Sequence, residues 1–270
     1  MGRKFLLLGT FAALIFLLAV AILILFFPRR NTQKISKTTP PIEESEAPPA
    51  KTETSVALVE KWINMAGEDS GEFSVQFIDL TDNQKLGYEE NKIYQGASVN
   101  KLVTAGYLLS QFDKGKLDLR KDLGDKTLQE HARLMINQSN NDSWQALNDE
   151  LGYTNIENFA KGLGMSNFEI ENNEVTAKNI GVFLEKLYKG QVLTEASKQL
   201  LYSWMRGTET EDRITLGLPS NTTFYHKTGT FDKALHDAAI IIHPKKPFVL
   251  AVFTNGVKDG RTTIAQVTRD

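Results

Sequence analysis

The stretch Gln95-Gly96-Ala97-Ser98-Val99-Asn100-Lys101-Leu102-Val103, continued by Ala105, Gly106, Tyr107, Leu108 and Leu109, constrains this chain more than any other. Its apolar continuation predicts a buried helix, and Ser98 and Lys101, three residues apart, fall on one face of it a turn apart. Gly96 and Ala97 bring the backbone in tightly just before. A serine hydroxyl alone is a weak nucleophile, whereas a lysine held in a dry, electropositive place loses proton affinity and can serve as its base. The fold is therefore read as one built round a buried helix with chemistry at its start.

This is the only S-x-x-K in the chain, and two further signals follow it, Ser139-Asn140-Asn141 and Lys227-Thr228-Gly229. Each alone has a plain explanation: a helical lysine, a helix-capping turn, an exposed strand lysine. In this order they resemble the penicillin-recognising serine hydrolases, and most closely the class A β-lactamases, whose S-x-x-K, S-D-N and K-T-G elements surround one acyl-transfer site. The words Leu201-Tyr202-Ser203-Trp204-Met205, Leu216-Gly217-Leu218-Pro219 and His226-Lys227-Thr228-Gly229-Thr230 also look like class A segments.

The resemblance implies roles. Ser98 is the nucleophile, Lys101 its base, and Ser139 shuttles a proton to the leaving group. Asn141 holds a substrate amide; Lys227, with Thr228 and Gly229, attracts a carboxylate. Thr230 offers its backbone N–H, with that of Ser98, to the oxyanion, where charge develops on the carbonyl oxygen. His236 falls where relatives often carry a second cation and is read either as a carboxylate holder or as a hydrogen-bonded structural histidine. Glu174 falls where relatives place the glutamate that activates the deacylating water. Much of the relatives' long loop is missing before it, so Glu174 is read either as that base or as a carboxylate complementing the dipole of the next helix.

The ends of the chain differ in composition. From Phe5 to Phe27 there is no charge, a run long enough as a helix to cross a bilayer's hydrocarbon core. Ala19-Val20-Ala21 mimics a cleavage site, but the apolar run continues through Phe27, so retention as an anchor is expected. Residues 1–30 are thus read as a cytoplasmic tip and transmembrane anchor, residues 31–54, rich in Thr, Pro, Glu, Lys and Ser, as a disordered linker, and residues 55–270 as the catalytic domain. The flanking Arg3 and Lys4 against Arg29, Arg30, Lys34 and Lys37 do not favour export, and an extracytoplasmic domain is expected on function.

With no cysteine there is neither a disulfide nor thiolate chemistry, and the formal net charge of -2 gives no reason to expect nucleic acid. His131, His226, His236 and His243 include no H-E-x-x-H, so neither a metal nor a cofactor is expected. An amphipathic helix is predicted over Val56 to Ala66 through Val56, Val59, Trp62, Ile63 and Ala66, closed by Gly67. Strands are predicted over Phe73 to Asp79, Lys85 to Tyr88, Thr223 to Thr230, Ala238 to Ile242 and Phe248 to Asn255. The fold class is α+β, a five-stranded antiparallel sheet flanked by helices.

The leading expectation is a membrane-tethered, monomeric serine acyl-hydrolase that opens β-lactams through a Ser98 acyl-enzyme. A D-alanyl-D-alanine peptidase or another penicillin-binding wall enzyme acting on cell-wall peptide is the alternative, favoured by the short loop. An inactive wall-peptide-binding surface protein is a further one, against which the intact Ser98, Lys101, Ser139, Asn141 and Lys227 argue.

Overall fold

The computed structural model describes residues 53–67 and 71–270. No helix among them is long and apolar enough to cross a membrane, and the run Phe5 to Phe27 lies outside them, as does the linker up to residue 52. Helix α1, Glu53–Gly67, takes the last two residues of the expected linker. Its core face is not the expected one throughout: Trp62 is buried, but Val56 and Ile63 face outward.

Strands β1, Glu72–Asp79, and β2, Lys85–Tyr88, form the expected hairpin, turning at Asn83 with a φ of 63°. A short strand β3, Ile93–Gln95, leads into a 3₁₀ turn, Ala97–Asn100, and helix α2, Lys101–Asp113. Next come strands β4, Asp122–Leu123, and β5, Lys126–Thr127, then helices α3, Leu128–Asn137, α4, Asn141–Leu151, and α5, Tyr153–Gly162. Strand β6, Glu174–Thr176, pairs with β3 and precedes α6, Ala177–Tyr188, α7, Glu195–Trp204, and the single turn α8, Ile214–Gly217. Strands β7, Thr223–Phe231, β8, Ala234–Ile242, and β9, Phe248–Asn255, and helix α9, Gly260–Arg269, complete the chain.

The main sheet is antiparallel in the order β2-β1-β9-β8-β7. Strand β8 begins at Ala234, earlier than the expected Ala238, so His236 and Asp237 lie within the sheet. Both sheet faces are covered, which is why β8 and β9 read as nearly unbroken apolar runs. Ala238, Ile240, Val249, Ala251 and Phe253 pack in the large core with α2 and α6, whereas Ala239, Ile241, Leu250 and Val252 pack with Trp62, Ile264 and Val267 of α1 and α9. Period-two alternation thus divides each strand between two cores.

Helix α2 is enclosed: Leu102, Val103, Ala105, Leu108 and Leu109 have no exposed surface. Each large apolar side chain buried this way contributes about 1.5–3 kcal/mol. At Gly106 a β-carbon would lie 2.6 Å from the Phe183 ring, so glycine lets α6 close on α2. The 3₁₀ turn ahead of α2 lies against the edge strand β7, where Gly229 meets Ala97 and Ser98.

Candidate active site

Two left-handed residues shape the site. Ala97, at φ 47°, turns the chain from β3 into the 3₁₀ turn and leaves Ser98 half-buried, and Ser139, at φ 56°, turns it between α3 and α4. Non-glycine residues in this region store strain and cluster at functional sites. At the second turn the labour divides: Asn140 caps α4 by accepting from the Ser143 N–H, while Ser139 and Asn141 bond to the lysines.

Lys101 Nζ lies 3.0 Å from Ser98 Oγ, 2.6 Å from Ser139 O and 2.6 Å from Asn141 Oδ1. A carbonyl and an amide oxygen can only accept, whereas a hydroxyl can donate or accept. A neutral Lys101 therefore spends its two N–H groups on Ser139 O and Asn141 Oδ1 and aims its lone pair at the Ser98 hydroxyl. Burial favours that form, lowering Lys101 to about 8. The Trp144 ring, its centroid 5.2 Å from Nζ and its Nε1 bonded to Thr104, stands beside it.

Lys227 enters from β7, 2% exposed, and donates to Ser139 Oγ and to Thr228 O. Burial first and the neighbouring Lys101 second lower it to about 7. Ser139 thus links the lysines, its carbonyl to Lys101 and its hydroxyl to Lys227. Gly229 suits a close approach: a β-carbon there would lie 3.1 Å from Ala97 Cβ and 3.1 Å from Ser98 N, tighter than ordinary contact. The exposed Thr230 follows on the same strand edge.

The structure brings together Ser98, Lys101, Ser139, Asn141, Lys227, Thr228, Gly229 and Thr230. It does not bring His236 in as a carboxylate holder. His236 has no exposed surface; its Nε2 lies 2.9 Å from Gln95 O, its Nδ1 accepts from the Thr254 N–H at 3.3 Å, and its ring stacks on Phe253. Burial lowers it to about 4, so it is a neutral structural histidine. The helix-dipole reading of Glu174 is corrected as well. Glu174 opens β6 opposite Gln95, and the cap of α6 is Thr176, whose side chain accepts from the Asn179 N–H. Among the described residues the Glu174 carboxylate has no hydrogen bond to Ser98, Lys101 or Ser139.

Two participants were not legible in the sequence. Asn173, at φ 53°, seats the nucleophile turn: its O accepts from the Gly96 N–H at 2.6 Å, its Nδ2 donates to Ala97 O at 3.1 Å, and its Oδ1 accepts from Asn100 at 2.7 Å. An asparagine just before a strand is a left-handed turn signal, but nothing local ties it to Ser98. Arg213, 1% exposed, brings a guanidinium to the β7 edge, where the sequence offered only His236 as a second cation. It donates to Gly229 O at 2.7 Å, His236 O at 2.6 Å and Thr230 Oγ1 at 2.5 Å. The Thr230 hydroxyl, accepting from a guanidinium, keeps its own proton to offer outward. Its segment, Glu211-Asp212-Arg213-Ile214-Thr215, carries no motif.

A family model described as the beta-lactamase enzyme family matches residues 57–270. Beta-lactamase 3 of Bacillus cereus is 27% identical, over 75% of this chain and 76% of that protein. Beta-lactamase Toho-1 of Escherichia coli is 24% identical, over 68% of this chain and 76% of that protein. Among solved structures, a mutant of PBP-A, determined as its acyl-enzyme complex with penicillin G, superposes with a TM-score of 0.74 at 21% identity, covering 79% of this chain and 94% of that one. A β-lactamase from Xanthomonas campestris gives 0.74 at 22% identity, covering 80% and 96%. At these identities the structural likeness speaks to the fold.

Proposed function

The chain belongs to the beta-lactamase enzyme family, and from that premise we propose that it is a serine acyl-transfer enzyme that opens β-lactams by forming an acyl-enzyme on Ser98. The observation that carries this is the placement of the buried Lys101 Nζ, 3.0 Å from Ser98 Oγ with its two other partners, Ser139 O and Asn141 Oδ1, both able only to accept. Lys101 takes the Ser98 proton as Oγ attacks the lactam carbonyl carbon. The oxyanion lies against the backbone N–H groups of Ser98 and Thr230, which the close approach at Gly229 supports. As the C–N bond breaks, the Ser139 hydroxyl, accepting from Lys227, gives its proton to the departing nitrogen and regains one from the lysines. The substrate carboxylate faces Lys227 and the Thr230 hydroxyl, and its charge keeps Lys227 protonated while Lys101 stays neutral. Intact-protein mass spectrometry with penicillin G tests the reading: an adduct of the whole ligand should form on Ser98 and be absent from Ser98→Ala. No adduct with any β-lactam would sink it.

The seat of Asn173 on the Gly96-Ala97 turn favours a second reading, a D-alanyl-D-alanine peptidase or other wall-peptide enzyme that β-lactams trap. It occupies the turn beside Ser98 without bringing in a carboxylate, and deacylation by water needs a base. The acyl-enzyme should then persist, and Glu174→Ala should alter neither acylation nor release in single-turnover experiments. Release slowed about 10²–10⁴-fold by that substitution, the usual cost of losing a general base, would restore Glu174 as the deacylating base. Release of D-alanine from a D-alanyl-D-alanine peptide by the parent protein supports the peptidase reading, and its absence beside rapid β-lactam turnover removes it.

The same reading puts the domain outside the cell membrane, held by the uncharged run Phe5 to Phe27, where β-lactams and wall peptides are met. Cell fractionation with protease added to intact cells checks it. Recovery in the soluble fraction, or protection of the domain from protease, would contradict it.

A further inference from the structure

The sheet face opposite Lys227 carries an ionic cluster that the acyl-transfer steps do not use. His226, the residue before Lys227, points to that face and has no exposed surface. Its Nδ1 lies 3.0 and 3.3 Å from the two carboxylate oxygens of Asp237, also wholly buried, and its Nε2 lies 3.1 Å from Thr208 Oγ1 and 3.3 Å from Glu211 Oε1. The Phe224 ring stands edge-on to it at 5.2 Å. Both ring nitrogens thus face carboxylates, and only the imidazolium donates on both sides.

The cluster ties a particular arm of chain to the sheet. Glu211 Oε1 accepts from the Thr208 N–H at 2.8 Å and from its hydroxyl at 3.1 Å, and Asp237 Oδ2 accepts from the Ile214 N–H at 3.1 Å. The arm's start is held separately, by the His226 N–H on Met205 O and by Asn137 on the carbonyls of Arg206 and Gly207. Its far end, where Arg213 turns inward to Gly229 O and Thr230 Oγ1, is held to the sheet by His226 on Glu211 and by Asp237 on the Ile214 N–H, and at the surface by Arg261 on Asp212.

We propose that His226, clamped between Asp237 and Glu211, is a positioning residue for the carboxylate-binding end of the site: it fixes the arm Thr208 to Arg213 so that the Arg213 guanidinium stands behind the Thr230 hydroxyl. Burial opposes charge on His226, but Asp237 and Glu211 outweigh it and raise the imidazole to about 9, so the clamp is charged at neutral pH. The acid-base pair Ser98 and Lys101 lies outside the cluster. Substrate binding should therefore depend on the clamp more than the bond-making step does.

The inference rests on the acyl-enzyme reading for its kinetic arm and on the fold alone for its structural arm, and the test uses both. His226→Gln is compared with the parent by amide hydrogen exchange and by the concentration dependence of acylation by penicillin G. Exchange in residues 208–214 should quicken about tenfold while α2 and α3 keep their protection. The half-saturating penicillin concentration should rise about tenfold while the limiting acylation rate stays within about twofold, the signature of lost ground-state binding. Glu211→Gln, a milder change on the partly exposed side of the cluster, should give the same split at smaller size and serves if His226→Gln does not fold. Protection lost evenly over the domain with half-saturation unchanged would make His226 merely structural and overturn the proposal. So would a His226 ring that ¹⁵N NMR finds neutral at about pH 7. A parent that forms no adduct would overturn the acyl-enzyme reading instead, and the exchange and NMR arms would still decide the clamp.

Discussion

Lys101 has no exposed surface, and burial holds its ammonium down to about 8, so the protein keeps near neutrality a fraction of the one form that can accept the Ser98 proton. Because that form is the deprotonated one, the limiting acylation rate at saturating β-lactam, whose carboxylate holds Lys227 protonated, should rise with pH through about 8 and level off above. A rate independent of pH across that range would remove Lys101 as the base. Lys101→Arg retains the charge and the reach but cannot lose its proton, and acylation should fall about 10²–10⁴-fold in single-turnover measurements. An arginine variant acylating at the parental rate would show that Lys101 only holds Ser139 and Asn141 in place.

Two backbone elements carry the nucleophile, and each rests on one residue. Strand β7 reaches Ser98 because Gly229 has no β-carbon; Gly229→Ala would push the strand from the Ala97-Ser98 turn by a few tenths of an ångström. Misplacement of this kind is costly for reacting groups, and acylation should drop about 10- to 100-fold with far-UV circular dichroism unchanged. Parental acylation in that variant would mean that strand and turn are free to separate. On the other side, Asn173 holds the turn both by its side-chain bonds to Ala97 and Asn100 and by a left-handed backbone. Asn173→Ala loses both, at about 1 kcal/mol for each hydrogen bond and about 1 kcal/mol or more for the backbone, whereas Asn173→Gly loses only the bonds. Chemical denaturation should therefore rank the parent above Asn173→Gly and that above Asn173→Ala. The reverse order of the two variants would show that the left-handed backbone costs nothing here.

Across the whole molecule, two buried histidines on adjacent strands respond to pH in opposite directions. His236 is lowered to about 4 in the fold from 6.5, so the stability it contributes is present above about pH 6.5 and is lost as pH falls toward 4. His226 is raised to about 9, so its contribution is complete below about pH 6.5 and is lost as pH rises through 9. On the alkaline side Lys101 and Lys227 oppose that loss, because their lowered values make the fold gain stability between about 7 and 10.5. The acid side has no such offset from the histidines. His236→Gln should shrink the stability difference between about pH 7 and pH 4 by on the order of 3 kcal/mol in denaturant titrations. An equal acid loss in parent and variant would mean that His236 is already charged in the fold.

What the sequence determined by itself was whatever has a local cause. The apolar continuation after Lys101 made α2 a buried helix, and Ser98 and Lys101 share its first turns because three residues is nearly one helical turn. Alternation and β-branching made the five strands, and the order of the three motifs named the residues that meet, although 88 positions separate Ser139 from Lys227. Tertiary structure alone decided the rest, because sheet register and loop seating depend on partners distant in the chain. The register that sets Gly229 opposite His236, together with the early start of β8, turned His236 toward Gln95 and Phe253 and put Asp237 beside His226. The pairing of β6 with β3 took Glu174 into a strand and brought Asn173 to the nucleophile turn. Arg213 came to lie behind Thr230 because a buried guanidinium needs several acceptors at once, and in this fold the carbonyls of Gly229 and His236 and the hydroxyl of Thr230 converge on it.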